Sequence, residues 1–218
     1  DGAPSEGPCA LGCGAPPATQ APTAAPVIAV VSTSMQDELV AAQEICSRAK
    51  TAVVEMFGHA RMGRALELEN VSALVDDISS SIARHPNALI SLARLKSIDD
   101  YTYMHSVAVC ALMIALGNQL GLSPAMIRRV GMAGLLHDIG KMAIPGAVLN
   151  KPGRLSSDEL QLVRTHPLEG EKTLLSASQM CEMVVDVCLH HHEKVDGTGY
   201  PHQLAGDQIS LVARMAAV

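Results

Sequence analysis

Ser123-Pro124-Ala125-Met126-Ile127-Arg128-Arg129-Val130-Gly131-Met132-Ala133-Gly134-Leu135-Leu136-His137-Asp138-Ile139-Gly140-Lys141 is the stretch that decides the fold of this chain. Gly121 just before it is a helix stop, Ser123 can cap, and Pro124 suits the first helical position. The stretch therefore reads as a helix running to about Ile139 and ended by Gly140. The residues before it, about Asp100 to Gly121, are apolar on most faces and read as a long central helix. No stretch of the chain shows sustained alternation, so all-α is the expected fold class.

Working outward, the same pattern recurs. Ser34 can cap a first helix whose opening turn carries Gln36, Asp37 and Glu38, with Leu39, Ile45, Ala49, Val53 and Met56 at helical spacing. Gly58 and Gly63 weaken its end. A second helix runs from about Asn70 to Arg84 and stops at His85-Pro86, and a third begins at Asn87. Further helices are expected after Ser156 or Ser157, at about Pro167–Ser176, at Met180–His192 and from Ile209. Residues 1 to about 26, rich in Ala, Pro, Gly and Thr, read as a disordered tail, with Pro26 to Val31 as a short strand or tether. The expected organisation is thus a low-complexity segment over 1–34, a helical segment over 35–65 and a main domain over 66–218. The chain lacks an initial Met and stops at Val218 within a helical stretch, so a fragment of a longer protein is expected.

Composition narrows the class. Of the 218 residues 48% are hydrophobic but only 2% aromatic, with one Phe and no Trp, so the core must be built from Ala, Leu, Val, Ile and Met. Such residues suit packed helices. A net charge of −6 argues against a nucleic-acid polymer as partner. A small anionic substrate stays compatible, because bound cations invert the local field. The apolar run Val107 to Leu116 is too short to span a bilayer, and no secretory signal is visible. Cys9, Cys13, Cys46, Cys110, Cys181 and Cys188 form no disulfide framework, and Cys9-x-x-x-Cys13 lacks a second ligand pair, so a reducing cytoplasm is expected.

His137 and Asp138 fall on the last turn of their helix in this reading, where the carbonyl end favours a cation. His-Asp alone is a common dipeptide; the following Gly140-Lys141 adds weight, since Lys is a phosphate contact rather than a ligand at neutral pH. His190-His191-His192-Glu193 ends a later helix and runs into Asp196-Gly197-Thr198-Gly199-Tyr200-Pro201. A solvated His run is the alternative there. The two glycines flanking Thr198 can take positive φ, and Pro201 stiffens the exit. His166 precedes a helix-starting Pro, and His105 lies on the apolar fourth helix, where a lone His is usually a core residue. His59 and His85 have no ligand partner nearby and read as surface or capping residues.

Taken together, these motifs resemble the HD-GYP domain, the branch of the HD phosphohydrolase superfamily associated with bacterial cyclic di-GMP hydrolysis. The matching text is Tyr101 to Ser106, His137-Asp138-Ile139-Gly140-Lys141, Ile144-Pro145, Leu149 to Gly153, Thr165-His166-Pro167, His191-His192-Glu193, Asp196 to Pro201 and Ile209 to Arg214. It occurs in the family's order and covers about residue 66 to the end. The resemblance implies an HD-domain helical bundle with a helical N-terminal extension. It implies that His137, Asp138 and His105 hold one divalent metal, that His166, His191 and His192 hold a second, and that Asp138 bridges them. Lys141 would contact a substrate phosphate, with Asp138 and Lys141 as the catalytic pair. Glu193 with Gly197, Thr198, Gly199, Tyr200 and Pro201 would shape the substrate site and offer a surface to a protein partner. His190 aligns outside the ligand pair. Some members hold a third metal through a Glu four residues before the first His; that position is Tyr101 here, so two metals are expected, drawn from Fe, Mn, Ni or Zn. The family's further metal-binding Asp would fall about two residues past Val218. The implied activity is metal-dependent hydrolysis of cyclic di-GMP to pGpG or GMP in the bacterial cytoplasm, with a homodimer as a further expectation. Two rivals are a phosphohydrolase of another cyclic dinucleotide and a signalling adaptor acting through the GYP loop.

Overall fold

The computed structural model describes residues 34–64, 66–94, 101–177 and 180–217. The expected tail over 1–33, with Pro26–Val31, Cys9 and Cys13, lies outside these residues. Among the described residues ten α-helices follow one another: α1 (Met35–Arg61), α2 (Leu68–Arg84), α3 (Pro86–Arg94), α4 (Tyr101–Gln119), α5 (Pro124–Leu136), α6 (Gly146–Leu149), α7 (Ser157–Val163), α8 (His166–Leu175), α9 (Glu182–His190) and α10 (Leu211–Ala216). No strand occurs among the described residues; one isolated bridge pairs Asp196 with Ala205. The all-α reading holds.

The helix starts follow local chemistry. Ser34, Ser123 and Ser210 each accept a backbone N–H of the first turn. Ser156 does so within a full capping box completed by Glu159. Several boundaries differ from expectation. α9 is shorter than Met180–His192, and α10 begins at Leu211 because Ser210 is its cap. More consequentially, α5 stops at Leu136 rather than about Ile139. His137 is its C-cap, Asp138 leaves helical backbone at φ −102° and ψ 10°, and Ile139–Ala143 continues as a 3-10 turn. Gly140 is therefore not a stop. A Cβ there would run into the His166 carbonyl oxygen and the Gly170 amide nitrogen, so glycine is needed for close approach of this turn to α8.

One apolar cluster runs through α1, α2, α3, α4, α5, α8, α9 and α10. Phe57, the single Phe, is buried in it and meets Tyr103 edge-on with centroids 5.7 Å apart. α1 is tied to α2 by a buried acid that reads in the sequence only as first-turn charge. Glu38 accepts from Ser81 Oγ (2.8 Å) and from Arg84 Nε (2.7 Å). A buried carboxylate survives only when paired in this way. α4 and α5 pack closely because α5 presents glycines to its neighbours. A Cβ on Gly134 would lie 3.0 Å from the Cys110 backbone, and one on Gly131 would lie 2.7 Å from the Val75 side chain and 2.9 Å from that of Ile114. That seam brings His105 of α4 to His137 at the end of α5.

Candidate metal centre

Four elements converge on Asp138. His105 comes from α4, His137 from the end of α5, His166 from the first position of α8, and His191 and His192 from just past α9. The carboxylate is buried and divides the histidines between its two oxygens. His137 Nε2 lies 3.2 Å and His105 Nε2 3.6 Å from Asp138 Oδ2. His166 Nε2 lies 3.3 Å and His191 Nε2 3.6 Å from Asp138 Oδ1. His192 belongs to the second group, whose ligand atoms with Asp138 all fall within 4.8 Å of one another; His105, His137 and Asp138 form the first.

The tautomers are set from outside the cluster. His137 Nδ1 donates to Gly134 O (2.7 Å), His166 Nδ1 to Val163 O (2.7 Å) and His191 Nδ1 to Cys188 O (2.9 Å). Each ring then turns an Nε2 lone pair inward. His137 and His105 Nε2 stand 3.3 Å apart, and His166 and His191 Nε2 stand 3.2 Å apart. At such a distance the neutral His166 and His191 rings oppose acceptor to acceptor, and Asp138 Oδ1 is buried without a hydrogen bond. Protons do not solve this cheaply. Burial pushes His191 down to about 4 and His192 down to about 2, so both resist charging at neutral pH. Burial also opposes charge on Asp138, yet the close approach of the His137, His166 and His191 rings holds its carboxyl well below the usual range. A set of inward lone pairs around a carboxylate that requires positive charge fits divalent cations, and the backbone carbonyls supply the outer hydrogen bonds that orient ligating histidines.

Lys141, in the 3-10 turn, donates to Asp138 Oδ2 (2.5 Å) and is mostly buried. On the other side the Asp196–Pro201 loop backs the ligands. Tyr200 stacks on His192 with centroids 4.7 Å apart and planes 19° apart. Burial pushes its phenol up to about 12, so it stays neutral. Gly197 takes φ +76°, as expected, but Gly199 does not take positive φ. A Cβ on Gly199 would strike the backbone of Glu193 and Lys194, so its role is close approach. Thr198 donates both its amide and its hydroxyl to Asp196 Oδ1 (2.9 and 2.7 Å). The Tyr200–Pro201 peptide bond is cis. Buried Glu193 accepts the amides of His202 (2.7 Å) and Leu204 (3.0 Å), fixing the chain that follows.

His190 points elsewhere: Nδ1 meets Asp186 Oδ1 (2.8 Å) and Nε2 meets His202 Nδ1 (3.1 Å). His85 caps α2, and His59 lies within α1. Sequence reasoning missed Arg164, whose guanidinium lies 5.2 Å from the Tyr200 ring centroid. It also missed Arg61, which donates from Nε to Met142 O (3.1 Å). Neither carries a local motif, since the partners are distant in sequence.

The family comparison now has a geometric counterpart. Residues 77–218 match the family model described as HD domain, and the chain belongs to that family. It is 60% identical over 185 residues to a cyclic di-GMP phosphodiesterase of Pseudomonas aeruginosa, covering 85% of this chain and 45% of that protein. It is 39% identical over 160 residues to a cyclic di-GMP phosphodiesterase response regulator of Xanthomonas campestris, covering 71% of this chain and 41% of that one. The chain thus spans less than half the length of these curated relatives. Among solved structures it resembles an HDG"Y"P protein from Bdellovibrio bacteriovorus, with a TM-score of 0.65 and 24% identity over 86% of this chain and 61% of that chain, a likeness of fold. No helix among the described residues is long and apolar enough to cross a membrane.

Proposed function

We propose that this chain is the hydrolase unit of a metal-dependent phosphodiesterase acting on cyclic di-GMP in the bacterial cytoplasm, yielding pGpG or GMP. The observation that carries the reading is the division of inward Nε2 atoms between the two oxygens of one buried carboxylate. The names of the relatives support the substrate.

In this reading His105, His137 and Asp138 hold one divalent transition metal, and Asp138, His166, His191 and His192 hold the other. Ions bound there supply Lewis acidity, lowering the pKa of a water and neutralising charge on the phosphodiester. Asp138 offers one oxygen to each half and keeps the halves in register. Lys141, already against Asp138 Oδ2, holds positive charge where a phosphate oxygen would lie. Tyr200 covers one face of His192 and limits its rotation and its access to water. The Gly197–Pro201 loop is part of the substrate wall and the face offered to a protein partner; a homodimer belongs to the same proposal.

The test uses the full-length protein loaded with Mn or Fe and assayed for linearisation of cyclic di-GMP, beside a second cyclic dinucleotide. Wild type is expected to prefer cyclic di-GMP. The double variant His137→Ala with Asp138→Ala is expected to lose at least about a thousandfold in turnover. Undiminished turnover in that variant would sink the mechanism. Binding without turnover in a metal-loaded wild type would favour the adaptor reading.

A further inference from the structure

A cavity of about 280 Å³ adjoins the metal centre on the α1 side, and Phe57, Gly58, Arg61, Tyr103, Lys141 and Asn150 are among the residues that line it. Lys141 belongs to both places: its side chain forms a wall here while Nζ donates to Asp138. The volume falls just below that of pockets for whole drug-sized ligands, so it suits one ring system rather than an entire dinucleotide. Its chemistry is mixed. The Phe57–Tyr103 pair supplies an aromatic side, and Asn150 and Arg61 supply polar edges. The Nε bond of Arg61 to Met142 O pins the guanidinium at the rim.

Gly58 is the second observation. It sits inside α1, where glycine is a poor helix former. Unlike Gly140 or Gly199, it meets no close approach and takes no positive φ: a Cβ there would find no neighbouring atom within 4 Å. Nothing in the packing of the described residues requires this glycine, and its missing side chain leaves space in the cavity.

We propose that this cavity is a purine subsite, seating one guanine base of the substrate while the phosphodiester lies at Asp138 and Lys141. The proposal rests on the phosphodiesterase reading above. Arg61 offers paired N–H donors, which match the O6 and N7 acceptors of guanine and mismatch the N6 amino group of adenine. One wall of the site, Phe57, Gly58 and Arg61, comes from α1, ahead of the residues matched by the family model, so the helix that precedes the matched domain would contribute to substrate choice.

The experiment is Gly58→Leu in the full-length, metal-loaded protein. The substitution puts an apolar side chain on a wall of the cavity and adds a good helix former, and its Cβ meets no atom within 4 Å. KM for cyclic di-GMP is expected to rise at least about tenfold, with hydrolysis of the purine-free diester bis(p-nitrophenyl) phosphate kept within about twofold. Arg61→Ala is expected to raise KM for cyclic di-GMP and to narrow the preference over a cyclic dinucleotide carrying adenine. An unchanged KM for cyclic di-GMP in Gly58→Leu, or equal loss on both diesters, overturns the subsite. If wild type hydrolyses neither diester, the phosphodiesterase reading fails on its own. Calorimetric binding of cyclic di-GMP then decides the subsite: tenfold weaker binding in Gly58→Leu supports it, and equal binding overturns it.

Discussion

His190 and His191 are neighbours in sequence and opposites in structure. His191 is buried, spends Nδ1 on a backbone carbonyl and turns Nε2 toward another imidazole and a carboxylate. His190 is part-exposed and has conventional side-chain partners at both nitrogens, Asp186 and His202. Asp186 in turn accepts from the Ser210 hydroxyl (2.5 Å). The outer pair can satisfy itself by choice of tautomer: His190 donates to Asp186 and His202 donates to His190. The inner His166 and His191 cannot, because carbonyls have already taken their Nδ1 protons. The difference teaches that a candidate ligating histidine is marked by which nitrogen the backbone has claimed, more than by the company of other histidines.

The strongest way to break this comparison is to remove the inner carboxylate. His137→Ala with Asp138→Ala should lower bound transition metal, measured by elemental analysis, from two ions toward none, in parallel with the loss of turnover. Next in size is Gly140→Ala. Its methyl group meets the backbone of α8, which cannot swing aside, so we expect a loss of about 3 kcal/mol or more in denaturant unfolding. Proton linkage separates the two histidine environments without mutation. His191 sits near 4 when folded against an ordinary value of 6.5, so in metal-stripped protein its contribution is intact above pH 6.5. As pH falls below that value the unfolded chain takes the proton first, and stability declines until about pH 4, by up to about 3 kcal/mol. A flat stability curve through that window would contradict the buried, neutral assignment. The smallest effect belongs to the outer pair. His190→Gln should cost no more than about 1 kcal/mol and leave metal content unchanged. Loss of an ion in that variant would erase the distinction drawn here.

Much of this was legible in the sequence, for definable reasons. Caps such as Ser34 and Ser123 act over three residues, so their helices could be read directly. The six candidate ligands lie in short motifs, and the structure brings the five histidines to the carboxylate of the sixth, Asp138. What escaped reading depends on distant partners. Gly140 reads as a helix stop until α8 is laid against it. Glu38 reads as first-turn charge until Ser81 and Arg84 close over it. Arg61 and Arg164 have no local signature, because the Met142 carbonyl and the Tyr200 ring reach them only through the fold.

The glycine seam between α4 and α5 carries a consequence for how the centre fills. His105 and His137 meet only because the two helices touch backbone to backbone at Gly134, whereas His166, His191 and His192 are held by α8 and α9. The two halves therefore hang from different joints. On the proposed two-metal reading, a slight widening of the α4–α5 joint would loosen the first ion position and leave the second intact, so loading would be stepwise and the grip unequal. With one ion seated, the second would become the quantity that scarcity of metal can ration.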